Sequence, residues 1–130
     1  MAHEPKGTVR RSKGGAPSYL PQGGGEAGHV ACAIEAASGQ LYTGVCIDLP
    51  CGLGFCAEQA AAAEMLKHGE TKIRRILAVN AEGRVLPPCG RCREFISQLD
   101  AENLHTLATV DEERAVPLER LLPERWDERK

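Results

Sequence analysis

The run CAEQAAAAEMLKHG, residues 56–69, is built of strong helix formers and ends on a glycine. Ala60, Ala61, Ala62, Ala63, Met65 and Leu66 predict a helix over 56–68, and Gly69 supplies its stop. Elements of the other kind lie on both sides. Upstream, residues 29–37 and 41–47 carry the apolar and β-branched side chains of two strands, joined by Ser38-Gly39-Gln40 as a tight turn, which predicts a hairpin. Residues 48–54, with Pro50, Gly52 and Gly54, predict a loop. Downstream, residues 73–80 read as a buried strand and 81–84 as a turn into Val85-Leu86, after which Pro87 and Pro88 break the chain. Residues 89–99 place Phe95, Ile96 and Leu99 at helical spacing, 104–110 read as a further strand, and 117–122 as a short helical turn. Two strands, a helix, a strand, a helix and a strand predict an α/β domain with a mixed sheet, because helices of this length can cross between strands.

The chain's 130 residues leave room for one domain, at about 100 to 200 residues each. Residues 1–28 hold half of the 14 glycines and the basic side chains Lys6, Arg10, Arg11 and Lys13, with almost nothing apolar to bury. They are expected to form a flexible arm, and residues 29–130 the folded domain. Sixteen Lys and Arg against 18 Asp and Glu give a net charge of -2, and the basic arm leaves the remainder more acidic still. That balance provides no field for a polyanionic strand and argues against a nucleic-acid partner. No apolar run approaches the roughly 18 residues of a membrane span, and the first 28 residues lack a secretory apolar stretch, so the expected compartment is the cytoplasm.

A reducing compartment keeps thiols free, so Cys32, Cys46, Cys51, Cys56, Cys89 and Cys92 are expected to pack, bind metal or do chemistry instead of pairing. Cys56-Ala57-Glu58 opens one predicted helix, and Pro88-Cys89-Gly90-Arg91-Cys92 opens the other. Unpaired N–H groups and the positive dipole end of a helix favour the thiolate that metal binding requires. Two helix starts facing each other can hold a tetrahedral Zn²⁺ through Cys56, Cys89 and Cys92, with a fourth position open to water. Glu58 then lies near enough to reach that water without ligating the metal, and can take and return its proton. Other readings stay open on the residues alone. A structural zinc knuckle would draw a fourth ligand from Cys46, Cys51 or His29; a redox pair would leave Cys56 and Glu58 unexplained; a third alternative is that the cysteines serve only as small core residues.

These motifs resemble the cytidine deaminase superfamily, whose pattern is (His or Cys)-x-Glu followed by Pro-Cys-x-x-Cys. The resemblance covers residues 29–126 through Tyr42-Thr43-Gly44-Val45, Cys56-Ala57-Glu58, Pro88-Cys89-Gly90-Arg91-Cys92-Arg93 and Leu121-Leu122-Pro123. It is strongest to the small homotetrameric branch of cytidine deaminases and blasticidin S deaminase, in which three cysteines hold the metal. It implies a three-layer α/β/α fold on a mixed five-stranded sheet, Zn²⁺ on Cys56, Cys89 and Cys92, and Glu58 as proton shuttle. It implies a nucleoside-like small-molecule substrate, loss of the exocyclic amine from a cytosine-like ring, and a homotetramer. Substrate contacts are implied at Phe55, Ala57 and Trp126, and at Cys46 and Asp48, which stand where cytidine deaminases carry an Asn-x-Glu that holds the ribose. That departure leaves the chemistry intact and the sugar contacts altered. Gly28-His29-Val30-Ala31-Cys32-Ala33 is closer to the blasticidin S deaminase form of the first strand, and the glycine-rich arm replaces the family's N-terminal helix. Gln59 stands where many members place an arginine that offsets the third thiolate, so Arg91 is expected to stabilise the thiolates, with Arg93 second. The rival classes are a non-catalytic zinc-stabilised binding domain and a deaminase of another base or of nucleic acid.

Overall fold

A computed structural model describes residues 21–129. Most of the expected arm, residues 1–20, lies outside the described residues. Strand β1 (Glu26–Ala36) begins three residues ahead of the first predicted strand and pairs antiparallel with β2 (Leu41–Asp48), Ile34 facing Tyr42. Their turn closes through the Gly39 N–H on the Ala36 carbonyl at 2.9 Å, with Gly39 at φ 93°.

Residues 49–53 hold a single 3-10 turn, Pro50–Gly52, before the chain returns along β2 as β3 (Gly54–Phe55). Gly54, at φ 136°, lies so close to the Ile47 carbonyl that a Cβ would collide with it. The next residue but one caps α1 (Ala57–Lys67). Its inward face is Ala57, Glu58, Ala61, Ala62 and Met65, the four-residue spacing of one helix side. Small residues there let the helix axis approach the sheet: a Cβ on Gly44 of β2 would stand 2.6 Å from the Ala60 Cβ. Gly69 ends the helix at φ 83°, its N–H bonded to the Leu66 carbonyl at 2.9 Å.

Strand β4 (Ile73–Asn80) pairs antiparallel with the free edge of β1, and β5 (Val85–Leu86) folds back on β4. Helix α2 (Gly90–Leu99), burying Cys92 and Ile96, then crosses to β6 (Leu107–Thr109), which runs parallel to β4 with Ile76 beside Ala108. Strand β7 (Ala115–Pro117) closes antiparallel on β6.

The α/β architecture and the mixed sheet agree with expectation, but the sheet has seven strands, not five, ordered β3-β2-β1-β4-β6-β7 with β5 on β4. The extra strands are two or three residues long, too short to carry a periodic signal. Residues 101–105 form a 3-10 turn where a strand was expected to begin, and Pro117 belongs to β7, so the helical turn is confined to Leu118–Leu121. The main core joins Cys32, Ile34, Tyr42 and Ile76 of the sheet to Ala61, Met65 and Ile96 of the helices. A smaller cluster of Ala31 and Ala81 with Val45 and Val79 lies on the opposite sheet face. Among the described residues no helix is long and apolar enough to cross a membrane.

Candidate active site

Both helices start at one place. Cys56 is the N-cap of α1 and Cys89 the N-cap of α2, and neither end has a side-chain cap hydrogen bond. The first-turn amides of both helices therefore face the thiols. Cys56 Sγ lies 3.7 Å from Cys89 Sγ, and Cys89 Sγ lies 3.4 Å from Cys92 Sγ. All three sulfurs fall within 4.8 Å of one another. A tetrahedral metal with sulfurs at about 2.3 Å separates them by about 3.8 Å, so the donor set fits such an ion.

The other possible ligands are elsewhere. Cys46 packs against His29, Cys51 is exposed, and none of the six cysteines is in a disulfide. Among the described residues the group gathers three ligands, which leaves a tetrahedral ion one open position and speaks against a closed structural knuckle.

Burial alone would raise the Cys89 thiol, but the Cys92 N–H and the thiols of Cys92 and Cys56 outweigh it and hold Cys89 below the ordinary value. Cys56 is pushed up, first by burial, and Cys92 is pushed up by burial and then by the Glu58 charge. Glu58 is 5 % exposed, and burial raises its carboxyl against the opposing pull of its own N–H and the Cys92 thiol. A carboxyl raised by burial beside a metal-type thiol cluster is better suited than an ordinary carboxylate to take a proton and give it back.

A cavity of about 370 Å³ opens over this cluster, within the range of small-molecule sites. Its lining includes Cys46, Asp48, Phe55, Ala57, Glu58 and Arg91, six of the residues singled out from the sequence. Cys46 is buried, and burial raises its thiol. Trp126 is not brought there. It packs against α2, its indole N–H donating to Glu94 Oε2 at 3.0 Å, and is 58 % exposed. Arg93 also turns away, donating through Nε to the Pro88 carbonyl at 2.7 Å and through Nη1 to the Leu121 carbonyl at 3.5 Å. Arg93 therefore fastens the start of α2 to the segment after β7.

His29, expected only as a spare ligand, lines the same cavity. Strict alternation along β1 would place it on the face of Ala31. An irregularity in the pairing between Ala27 and Ala31, with Gly28 at φ 83°, turns it to the Cys46 side. Gly28 was the one sequence signal for this bulge.

No family model matches the chain. A cytidine deaminase of Shewanella pealeana is 35% identical over 101 residues, covering 73% of this chain and 31% of that protein. A blasticidin-S deaminase of Bacillus cereus is 33% identical over 78 residues, covering 53% of this chain and 56% of that protein. The crystal structure of cytidine deaminase from Mycobacterium tuberculosis superposes with a TM-score of 0.67 at 28% identity, covering 77% of this chain and 78% of that one. The chain thus spans about a third of the Shewanella protein's length and about half of the Bacillus protein's.

Proposed function

The chain belongs to the cytidine deaminase superfamily, and on that premise we propose that it is a zinc-dependent hydrolase that removes the exocyclic amine of a cytosine-like ring in a free nucleoside or nucleoside analogue. The observation that carries this reading is the cluster of three sulfurs, two of which, on Cys56 and Cys89, line one cavity together with the buried Glu58.

Cys56, Cys89 and Cys92 would hold the zinc, and Arg91, on the cavity wall, would offset the charge of three thiolates. What zinc supplies when bound is acidity in a neighbouring water, whose pKa falls from about 15.7 toward about 7. Glu58 takes one proton from the attacking water and places it on the ring nitrogen as the new C–O bond forms. It then takes the second proton to the exocyclic nitrogen. The C–N bond breaks, the carbonyl forms, and ammonia leaves. Ala57, fully buried in the first turn of α1, sets a rigid wall behind the ring, and Phe55 supplies an apolar edge. Because Trp126 lies away from the cavity of its own chain, its proposed contact with substrate is made in a neighbouring subunit of a homotetramer. Cys51, exposed and outside any disulfide, suits a reducing compartment such as the cytoplasm.

Ammonia release from cytidine, deoxycytidine, blasticidin S, adenosine and guanosine, measured on protein with its zinc content known, tests this reading. Turnover of a cytosine-bearing compound is expected. Metal-loaded protein that releases no ammonia from any of them would overturn it.

A further inference from the structure

His29 and Cys46 touch in a way that leaves the imidazole edge available. Cys46 Sγ is 3.4 Å from Nδ1 and 3.3 Å from Nε2. A sulfur equally near both nitrogens in the ring plane would be driven into the carbon between them, so it lies over the ring face. That is a packing contact that fixes the ring, not a hydrogen bond to either nitrogen. Glu26 Oε1, 3.8 Å from Nδ1, is beyond hydrogen-bond reach. Among the described residues neither nitrogen has an in-plane partner, and the side chain is 30% exposed into the cavity.

We propose that His29 is a specificity-determining residue that hydrogen-bonds a hydroxyl of the sugar carried by the substrate ring, with Asp48 as the second partner. The inference rests on the deaminase reading of the same cavity. Cys46 cannot fill this role, since it is a weak donor already occupied against the ring. Asp48 is acceptor-only when ionised, whereas imidazole can donate from one nitrogen and accept at the other. A vicinal pair of hydroxyls satisfies both side chains. An anionic appendage does not, because Asp48 and Glu58 face the same space with Arg91 as the fixed cation. His29 therefore selects a neutral polyol, and does so from a position that the bulge at Gly28 created.

The test compares kcat and KM for cytidine and 2′,3′-dideoxycytidine in the parent, His29→Ala and His29→Asn, with zinc content measured on each. The parent is expected to favour cytidine by about tenfold in kcat/KM, the scale of one well-placed hydrogen bond. His29→Ala should lower that ratio, chiefly by raising the KM for cytidine more than that for the dideoxy compound, and leaves the part of the preference that Asp48 sustains. His29→Asn, which keeps a donor and an acceptor, should recover part of the preference. A preference equal in parent and both variants, or a parent with none, overturns the role of His29 while leaving the deaminase reading standing. Absence of ammonia from both compounds in a parent that turns over blasticidin S overturns the role of His29 alone, whereas absence from blasticidin S as well strikes the deaminase reading and the role of His29 with it.

Discussion

Cys56 Sγ and Cys89 Sγ stand 3.7 Å apart although 33 positions separate them in the chain. The contact ties the starts of α1 and α2 together across the intervening strands β4 and β5. Cys89→Ser should reduce zinc from about one per chain to a small fraction, measured by elemental analysis. Metal-binding free energy is partly folding free energy, so the melting temperature should fall as well. Full zinc occupancy in this variant would remove Cys89 from the ligand set.

Glu58→Gln keeps the shape of the buried side chain but cannot accept a proton. Zinc content and melting behaviour should stay close to the parent, while kcat falls by at least about 10² to 10⁴, the worth of one general acid–base role. Turnover within tenfold of the parent would take the proton transfers away from Glu58.

The exposed Trp126 and the cavity-edge residues Leu53, 63 % exposed, and Phe55, 41 % exposed, are apolar surface that an assembly would cover. Light scattering should return the mass of four chains of 14.0 kDa each. In that assembly Trp126→Ala should raise KM about tenfold with zinc content unchanged, by analogy with base stacking on aromatics. A single-chain mass at micromolar concentration contradicts the tetramer.

Asn103, fully buried in the 3-10 turn before β6, accepts the Ile73 N–H at 2.8 Å and donates to the carbonyls of Thr71 and Ile96. It joins the edge of β4 to the end of α2. Asn103→Ala leaves a buried amide and two carbonyls without these partners and should cost about 1 to 3 kcal/mol in denaturant unfolding. A change below about 0.5 kcal/mol would show that water replaces it.

The Tyr42 hydroxyl donates to Glu70 Oε2 at 2.6 Å, which pushes the tyrosine up to about 12 and holds the Glu70 carboxyl below its usual range. The raised tyrosine stabilises the fold fully below its unfolded value of about 10 and loses that contribution as pH rises through about 12. Glu70, being depressed, contributes above its ordinary 4.5 and loses this as pH falls through its lowered value. Tyr42→Phe should therefore melt below the parent at neutral pH, with the gap closing above about pH 12 and in strong acid. A gap constant across that range would contradict the linkage.

What could be read in the sequence was what recurs within one element. The alanine-rich α1 and the spacing of Cys92, Phe95, Ile96 and Leu99 in α2 carry their periodicity openly, as does the order of long strands, and the helix N-termini placed the thiols. What escaped depended on partners distant in the chain. β3 and β5 are strands only because β2 and β4 lie beside them. Asn103 matters because Ile73 is 30 positions away. His29 faces Cys46 because a bulge reverses the alternation that a sequence reading assumes.

The central place of β1, paired with β2 on one side and β4 on the other, has a consequence for synthesis on the ribosome. The chain emerges from its N-terminus at about 5 to 20 residues per second. β1 gains its first neighbour once Asp48 is out, but its second edge stays bare until Asn80 has followed. Cys56 waits longer still, since Cys89 and Cys92 come later than the strand that completes the sheet centre. Strands β1, β2 and β4 can therefore meet before the three thiols are all present, but β6 and β7 emerge only after Cys92, so the thiol cluster can close while the far edge of the sheet is still bare.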